Sequence, residues 1–185
     1  MSDAIYTQCD EKMGKAIDST KRELAKLRLG KATPALLENI RVDAYGAQTP
    51  LNQVGSIGAP EPRLLVVQPW DKNLVGAIER AIRASDLGLN PSNDGQVIRV
   101  PIPALTEERR KELVKVAKHY AEEGRVAVRM GRRDANEALK KALKDGKITE
   151  DDERKALDKI QKLTDQKIKD LDEILSSKET EILKT

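Results

Sequence analysis

Proline and glycine are concentrated in the middle of the 185-residue chain. All eight prolines lie between Pro34 and Pro103, and seven of the eleven glycines lie between Gly30 and Gly95. Because proline kinks or breaks a helix from within, the middle segment cannot form long helices, whereas the proline-free flanks can. The chain is therefore expected to combine helical flanks with a central domain of strands and turns.

Hydrophobic residues recur at helical spacing on both sides of this middle segment. A first amphipathic helix is predicted before Gly30, with Ser2 or Asp3 as its N-cap. A second helix is predicted to begin after Thr106, a good N-cap residue, and to run to about Lys144. Both helices are long and carry charged residues on their outer faces.

A helix-to-helix turn is predicted in the segment KDGKITEDDERK. Gly146 suits the end of one helix, and Thr149 suits the N-cap of the next, with acidic residues in the first turn that follows. Leucine and isoleucine then recur at mixed spacings of three and four, which is typical of a helical bundle seam. The flanks together predict a three-helix bundle.

The middle segment shows strand patterns and one short helix. ENIRVDAYG, RLLVVQPW and QVIRVPIP are each typical of a strand, and a short helix is predicted to start at Asp71 as N-cap. Trp70 and Tyr45 are expected in the core of this domain. The pattern predicts a small β/α/β domain.

These elements predict an α+β fold with a discontinuous domain. An elongated three-helix bundle comprises residues 1–29 plus 106–185, and a small β/α/β domain, residues 30–105, is inserted after its first helix. The chain crossings RLGKATP and PIPALT contain Gly and Pro and can serve as paired hinges. The predicted hinge residues are Gly30, Lys31, Ala104, Leu105 and Thr106.

Arginines cluster in the segment RVAVRMGRRDAN, residues 125–136. At about 100° per residue, Arg125, Arg129 and Arg132 fall on one narrow stripe that should be exposed. Arg129 and Arg132 have no acidic residue three or four positions away. Clustered like charges destabilise a helix unless something anionic lies outside it.

Two interpretations of this stripe are open. Acids on neighbouring helices, for example in TEDDER or TDQKIKDLDE, can pair with the arginines across the bundle. Alternatively the stripe contacts phosphate, since arginine presents a planar fork of donors. Local pairs are expected between Arg125 and Glu122 and between Arg133 and Glu137. Gly131 costs the helix about 1 kcal/mol relative to alanine, or allows helices to approach closely.

Composition argues against several function classes. Cys9 is the only cysteine and His119 the only histidine, so no zinc ligand set and no nucleophile-base pair are expected, and neither is a cofactor. The net charge of +3 argues only weakly for nucleic acid, and with 2% aromatic residues any such contact should be to the backbone. No segment has the roughly 20 apolar residues needed to cross a membrane, so a cytoplasmic protein is expected.

Four separated motifs, LRLGKATP, ASDLGLNP, PIPALTEERRKEL and RVAVRMGRRDAN, together resemble the ribosome recycling factor family over the whole chain. The resemblance implies an L-shaped arrangement of bundle and inserted domain. It implies a translation factor that binds the post-termination ribosome, contacts large-subunit rRNA, and acts with elongation factor G and GTP to separate the subunits and recycle them from mRNA. It also implies no active site in this chain, which is expected to act as a monomer.

The resemblance also assigns residues. Arg129, Arg132 and Arg133 match the family's arginines in this helix, and Arg132 matches its central rRNA contact. The predicted rRNA-binding residues are Arg132, Arg129, Arg133, Arg125 and Arg28. The sequence departs from the family's usual pattern at Lys31, Met130 and Gly131. The alternative function is a helical-bundle adaptor that binds protein, whose affinity, unlike that of an rRNA binder, should depend little on salt.

Overall fold

The protein forms two compact units in a computed structural model, which describes residues 1–184. The helical unit comprises Met1–Leu27 and Thr106–Lys184, and the mixed unit comprises Arg28–Leu105. Within residues 1–184, no helix has the length and apolar character needed to span a membrane. Each unit has its own hydrophobic core.

Three helices make up the helical unit. They are α1 (Ser2–Ala25), α3 (Glu107–Lys144) and α4 (Glu150–Lys184). The Oγ atom of Thr106 accepts a hydrogen bond of 3.1 Å from the backbone N–H of Arg109, so the predicted N-cap of α3 is confirmed. The predicted N-cap of α1 is wrong: Met1 precedes the helix and makes no side-chain cap.

The turn between α3 and α4 follows the predicted signals. Gly146 has φ of +69°, a conformation that favours glycine after a helix end. Thr149 Oγ1 accepts from the backbone N–H of Asp152, and Asp152 Oδ2 accepts from the backbone N–H of Thr149, both at 3.1 Å. This reciprocal pair satisfies N–H groups at the start of α4 that the helix itself leaves without partners.

Small residues make up most of the buried face of α3. Val128, Ala135, Leu139 and Ala142, which recur at helical spacing, are buried. The closest approach is at Gly124, where an added Cβ would collide with Thr20 Oγ1 and lie 3.2 Å from Leu171 Cδ2. The other buried residues of α3 are Leu113, Ala117, Ala121 and Gly131. Glycine and alanine let the axis of α3 lie close to both α1 and α4.

The mixed unit contains more strands than the sequence predicts. The strands are β1 (Arg41–Ala44), β2 (Ala47–Pro50), β3 (Gly55–Glu61), β4 (Leu64–Pro69), β5 (Ser92–Asn93) and β6 (Ile98–Pro101). β1 and β2 form a hairpin, and the others form an antiparallel sheet in the order β3-β4-β6-β5. The patterns of β2, β3 and β5 escaped prediction because these strands carry few branched apolar residues, and β3 contains glycine and proline.

One helix packs with these strands. Helix α2 (Val75–Ala84) follows a short 3₁₀ turn, and Asp71 caps the turn by accepting from the backbone N–H of Asn73 at 2.9 Å, as predicted. Its apolar side buries Val75, Ile78 and Ile82 in the core of the unit. Leu65 and Val67 of β4 bury their side chains in the same core.

The expectation that Trp70 and Tyr45 lie in this core is wrong. Trp70 is 70% exposed because it continues the alternation of β4, in which Leu65, Val67 and Pro69 face inward. Tyr45 is 76% exposed and has φ of +53° in the tight turn between β1 and β2. Its position at the tip of the hairpin directs the ring to solvent.

Candidate nucleic-acid interface

The arginine stripe borders the buried face of α3. Arg125, Arg129 and Arg132 are half-buried, and Arg133 is exposed. The neighbouring Val128 and Gly131 are buried, so the stems of the arginines start close to the seam and their guanidinium groups reach outward. The arginine stripe thus consists of Arg125, Arg129, Arg132 and the adjacent Arg133, four arginines within three turns of α3.

Arg125 is fully engaged by carboxylates. Its Nε and Nη2 donate to Asp172 Oδ1 of α4 at 2.9 and 2.6 Å, and its Nη1 donates to Glu122 Oε2 at 3.0 Å. Only 20% of the side chain is exposed. The hydrogen bonds from Arg125 to Asp172 and then to Glu122 raise the pKa of the Arg125 guanidinium above its ordinary value. For this arginine, pairing with an acid of a neighbouring helix is the correct interpretation.

Arg129 has one acidic partner that the sequence argument missed. Its Nη1 donates to Glu122 Oε1 at 3.3 Å, and the side chain is 43% exposed. The prediction considered acids three or four positions away, whereas Glu122 is seven positions away. Residues seven apart lie two turns apart on nearly the same face, about 10 Å along the axis, which two long side chains can span.

Arg132 and Arg133 differ from the other two arginines. Among residues 1–184, neither side chain makes a hydrogen bond or an ion pair. The expected pair between Arg133 and Glu137 does not form, and the adjacent Asp134 pairs instead with Lys12 of α1 at 3.3 Å. These two guanidinium groups keep all their donors available.

The local charge balance follows from these contacts. Four arginines face two carboxylates, Glu122 and Asp172, which leaves two positive charges on the stripe. The excess lies at Arg132 and Arg133, the C-terminal half. A planar guanidinium with free donors can bind a phosphate through two parallel hydrogen bonds. The arrangement therefore suits an anionic partner at one end of the stripe.

The remaining predicted site residues belong to the chain crossings. Arg28 is exposed and begins the mixed unit, outside the stripe. Gly30 has φ of +70°, and an added Cβ would lie 3.2 Å from Leu105 Cγ and 3.3 Å from the Pro103 carbonyl oxygen. The two crossings therefore run side by side at this point, and Gly30 is the residue whose lack of a side chain permits it.

Comparison of the sequence with known families gives one consistent result. The family model described as ribosome recycling factor matches residues 20–183. Similar proteins include the ribosome-recycling factor of Bacillus subtilis (strain 168), 56% identical over 183 residues, and that of Symbiobacterium thermophilum, 54% identical over 183 residues; each alignment covers 99% of both chains.

Solved structures agree in fold. A solution structure of the ribosome recycling factor is 43% identical, covers 100% of this chain and 98% of its own, and superposes with a TM-score of 0.68. A second similar chain comes from models for the T. thermophilus ribosome recycling factor and the E. coli elongation factor G bound to the E. coli post-termination complex. It is 49% identical, covers 99% of both chains, and has a TM-score of 0.57.

Proposed function

The chain belongs to the ribosome recycling factor family, and from this premise we propose that its helical unit binds large-subunit ribosomal RNA through the C-terminal half of the arginine stripe. The protein recycles ribosomes: it binds the post-termination ribosome and acts there with elongation factor G and GTP. The observation that carries the proposed contact is the pair of arginines, Arg132 and Arg133, that have no acidic partner within residues 1–184.

The free arginines favour an RNA contact over the alternative of a protein-binding adaptor. That alternative needs the stripe to be satisfied by the protein's own acids, and this condition holds for Arg125 and Arg129 but not for Arg132 or Arg133. Clustered arginines without acids are stable on a helix surface when the partner is a polyanion. We assign Arg132 the central contact because it matches the family's central rRNA contact and, unlike Arg125 and Arg129, pairs with no acid within residues 1–184.

The proposal includes the absence of a catalytic centre from this chain. GTP hydrolysis is assigned to elongation factor G, and the recycling factor contributes binding and movement. We also place the protein in the cytoplasm, where its ribosomal partner acts.

Binding to vacant ribosomes across a salt series tests the proposed contact. With two to three phosphates neutralised, affinity should fall roughly 10- to 40-fold between about 50 and 200 mM monovalent salt. Subunit splitting, followed by light scattering, should require the protein, elongation factor G and GTP together. Binding that does not depend on salt would contradict the RNA contact and favour the adaptor.

We further propose that the two crossings act as hinges during splitting. Gly30, Lys31, Ala104 and Leu105 lie outside the regular helices and strands, whereas Thr106 caps α3 and begins the rigid part. Motion is therefore assigned mainly to the residues before Thr106. Gly30 supports this role because its φ of +70° and the nearness of Leu105 and Pro103 make a side chain unfavourable there.

Gly30→Ala is expected to lower the rate of subunit splitting several-fold, while ribosome binding changes less than about twofold. Alanine at this φ costs about 1 kcal/mol, and its Cβ crowds the second crossing without touching the stripe. Gly146→Ala is the matched control, because Gly146 has a similar φ of +69° and open space around an added Cβ. Splitting rates that fall equally in both variants would argue against a hinge at Gly30.

A further inference from the structure

We propose that Glu122 limits the affinity of the arginine stripe for RNA by competing with phosphate for Arg129. Glu122 would act through Arg129 as a positioning residue, with no contact to RNA of its own. This inference rests on the proposed RNA binding. It assigns the two halves of the stripe different roles, with Arg132 and Arg133 open to phosphate and Arg129 held by an internal anion.

The geometry of Glu122 is that of a bridge between two arginines. Its Oε2 accepts from Arg125 Nη1 at 3.0 Å, and its Oε1 accepts from Arg129 Nη1 at 3.3 Å. Each carboxylate oxygen therefore serves a different guanidinium. All three residues lie on the same side of α3, so the carboxylate holds Arg129 Nη1, one of the nitrogens that a phosphate of a bound RNA would use.

The two arginines hold this carboxylate unequally. Arg125 uses Nε, Nη1 and Nη2 in its bonds to Asp172 and Glu122, so it has no nitrogen left without a partner and remains a tie between α3 and α4. Arg129 uses only Nη1, in one longer bond, and is about twice as exposed as Arg125. Arg129 is therefore the member of the bridge that can exchange its partner.

A phosphate can replace Glu122 as the partner of Arg129, but this exchange reduces the net affinity for RNA. An exposed ion pair contributes little to stability, so an RNA phosphate that offers a charge-assisted bond can replace Glu122 at Arg129. The hydrogen bond from Arg125, and then that from Arg129, lower the pKa of the Glu122 carboxyl, so it stays charged at neutral pH. The displaced carboxylate then lies beside the phosphate that replaced it. The loss of the Arg129–Glu122 pair and the repulsion between the Glu122 carboxylate and the phosphate both reduce the net affinity of the protein for RNA.

Reduced affinity suits a factor that must leave the ribosome after each round. Arg132 and Arg133 supply the attraction, and Glu122 keeps the contribution of Arg129 small. The stripe thereby binds through fewer phosphates than its four arginines allow.

Glu122→Gln is expected to tighten binding to vacant ribosomes about three- to ten-fold at about 50 mM salt. Glutamine keeps the length of the side chain but removes the charge that competes with phosphate. The slope of log K against log salt should steepen by an amount corresponding to about one additional phosphate. Fluorescently labelled protein titrated with ribosomes across a salt series measures both quantities, and circular dichroism checks that the helices persist.

Glu123→Gln is the matched control. It removes the same charge from the next residue, whose carboxylate contacts His119 Nε2 at 3.1 Å and touches no arginine of the stripe. Its effect on affinity should stay below about twofold. A gain in Glu123→Gln equal to that in Glu122→Gln would attribute the effect to bulk charge and overturn the proposal.

A second background isolates the role of Arg129. If Glu122 acts through Arg129, the gain from Glu122→Gln disappears when Arg129→Ala is already present. A gain that persists there, or binding that is unchanged or weaker in Glu122→Gln alone, overturns the proposal. Loss of binding in Arg132→Ala without any gain in Glu122→Gln would reject this inference and leave the proposed function standing. Failure of the wild type to bind would reject both.

Discussion

Arg132→Ala should weaken binding to vacant ribosomes about 10- to 100-fold. A charge-assisted hydrogen bond contributes about 1.5–3 kcal/mol, and Arg132 is half-buried with no competing acid within residues 1–184. The slope of log K against log salt should also become shallower by the contribution of about one phosphate, because one cation no longer displaces counterions. Equilibrium titration with ribosomes at several salt concentrations measures both effects, and subunit splitting with elongation factor G should slow in parallel.

The helices should survive this substitution. Alanine is the best helix former, and Arg132 makes no internal pair that its loss would break. Arg154→Ala provides the control for lost charge, since Arg154 is exposed on α4 and pairs with Asp151 at 2.6 Å. We expect less than about a twofold change for Arg154→Ala. If Arg132→Ala is folded and binds as well as wild type, Arg132 is not the anchor and the RNA contact lies elsewhere.

Gly124→Ala is expected to destabilise the helical unit by up to about 2 kcal/mol. The added Cβ would collide with Thr20 Oγ1 and lie 3.2 and 3.3 Å from the two methyl carbons of Leu171. Thr20 is 5% exposed, and its hydroxyl donates to the Ala16 carbonyl at 3.0 Å, so it cannot easily move aside. Overpacking costs about 1–3 kcal/mol, and the roughly 1 kcal/mol that alanine gains over glycine in a helix offsets part of this cost.

Urea denaturation of matched variants measures this effect. Gly131→Ala lies two turns further along the same buried face, where an added Cβ would meet Met13 Cγ at an ordinary 3.5 Å. That variant should be stabilised by about 0.5–1 kcal/mol through helix propensity. Thr20→Ala should restore part of the stability lost in Gly124→Ala. A Gly124→Ala protein as stable as wild type would show that α1 and α4 can move apart at little cost.

Gly124 and Gly131 show that the position of a residue on a helix does not by itself reveal how closely neighbouring helices pack against it. Both fall on the buried face of α3, and the sequence allowed Gly131 to serve for close helix approach. Only the neighbouring helices distinguish them, since Thr20 and Leu171 crowd Gly124 while the flexible Met13 side chain faces Gly131. Residues distant in sequence set these distances, so no local pattern contains them.

For the arginine stripe too, the sequence predicted some features and the tertiary structure decided others. Helical periodicity placed the arginines on one side of α3, because that depends only on the angle between successive residues. The pair between Arg129 and Glu122 was within reach of the same reasoning had it been extended to two turns. The preference of Arg125 for Asp172, and the freedom of Arg132 and Arg133, depend on which face α4 turns toward α3.

By itself, the sequence determined the α+β class, the long helices and the cap at Thr106, together with the turn at Gly146. These features depend on interactions within a few residues, through periodicity, backbone conformation and hydrogen bonds to neighbouring N–H groups. Its motifs also determined the family. Tertiary structure decided where the strands β2, β3 and β5 form, that Trp70 and Tyr45 are exposed, and which arginines pair with carboxylates. These features were not predicted because strand pairing and ion pairing join residues far apart in the chain.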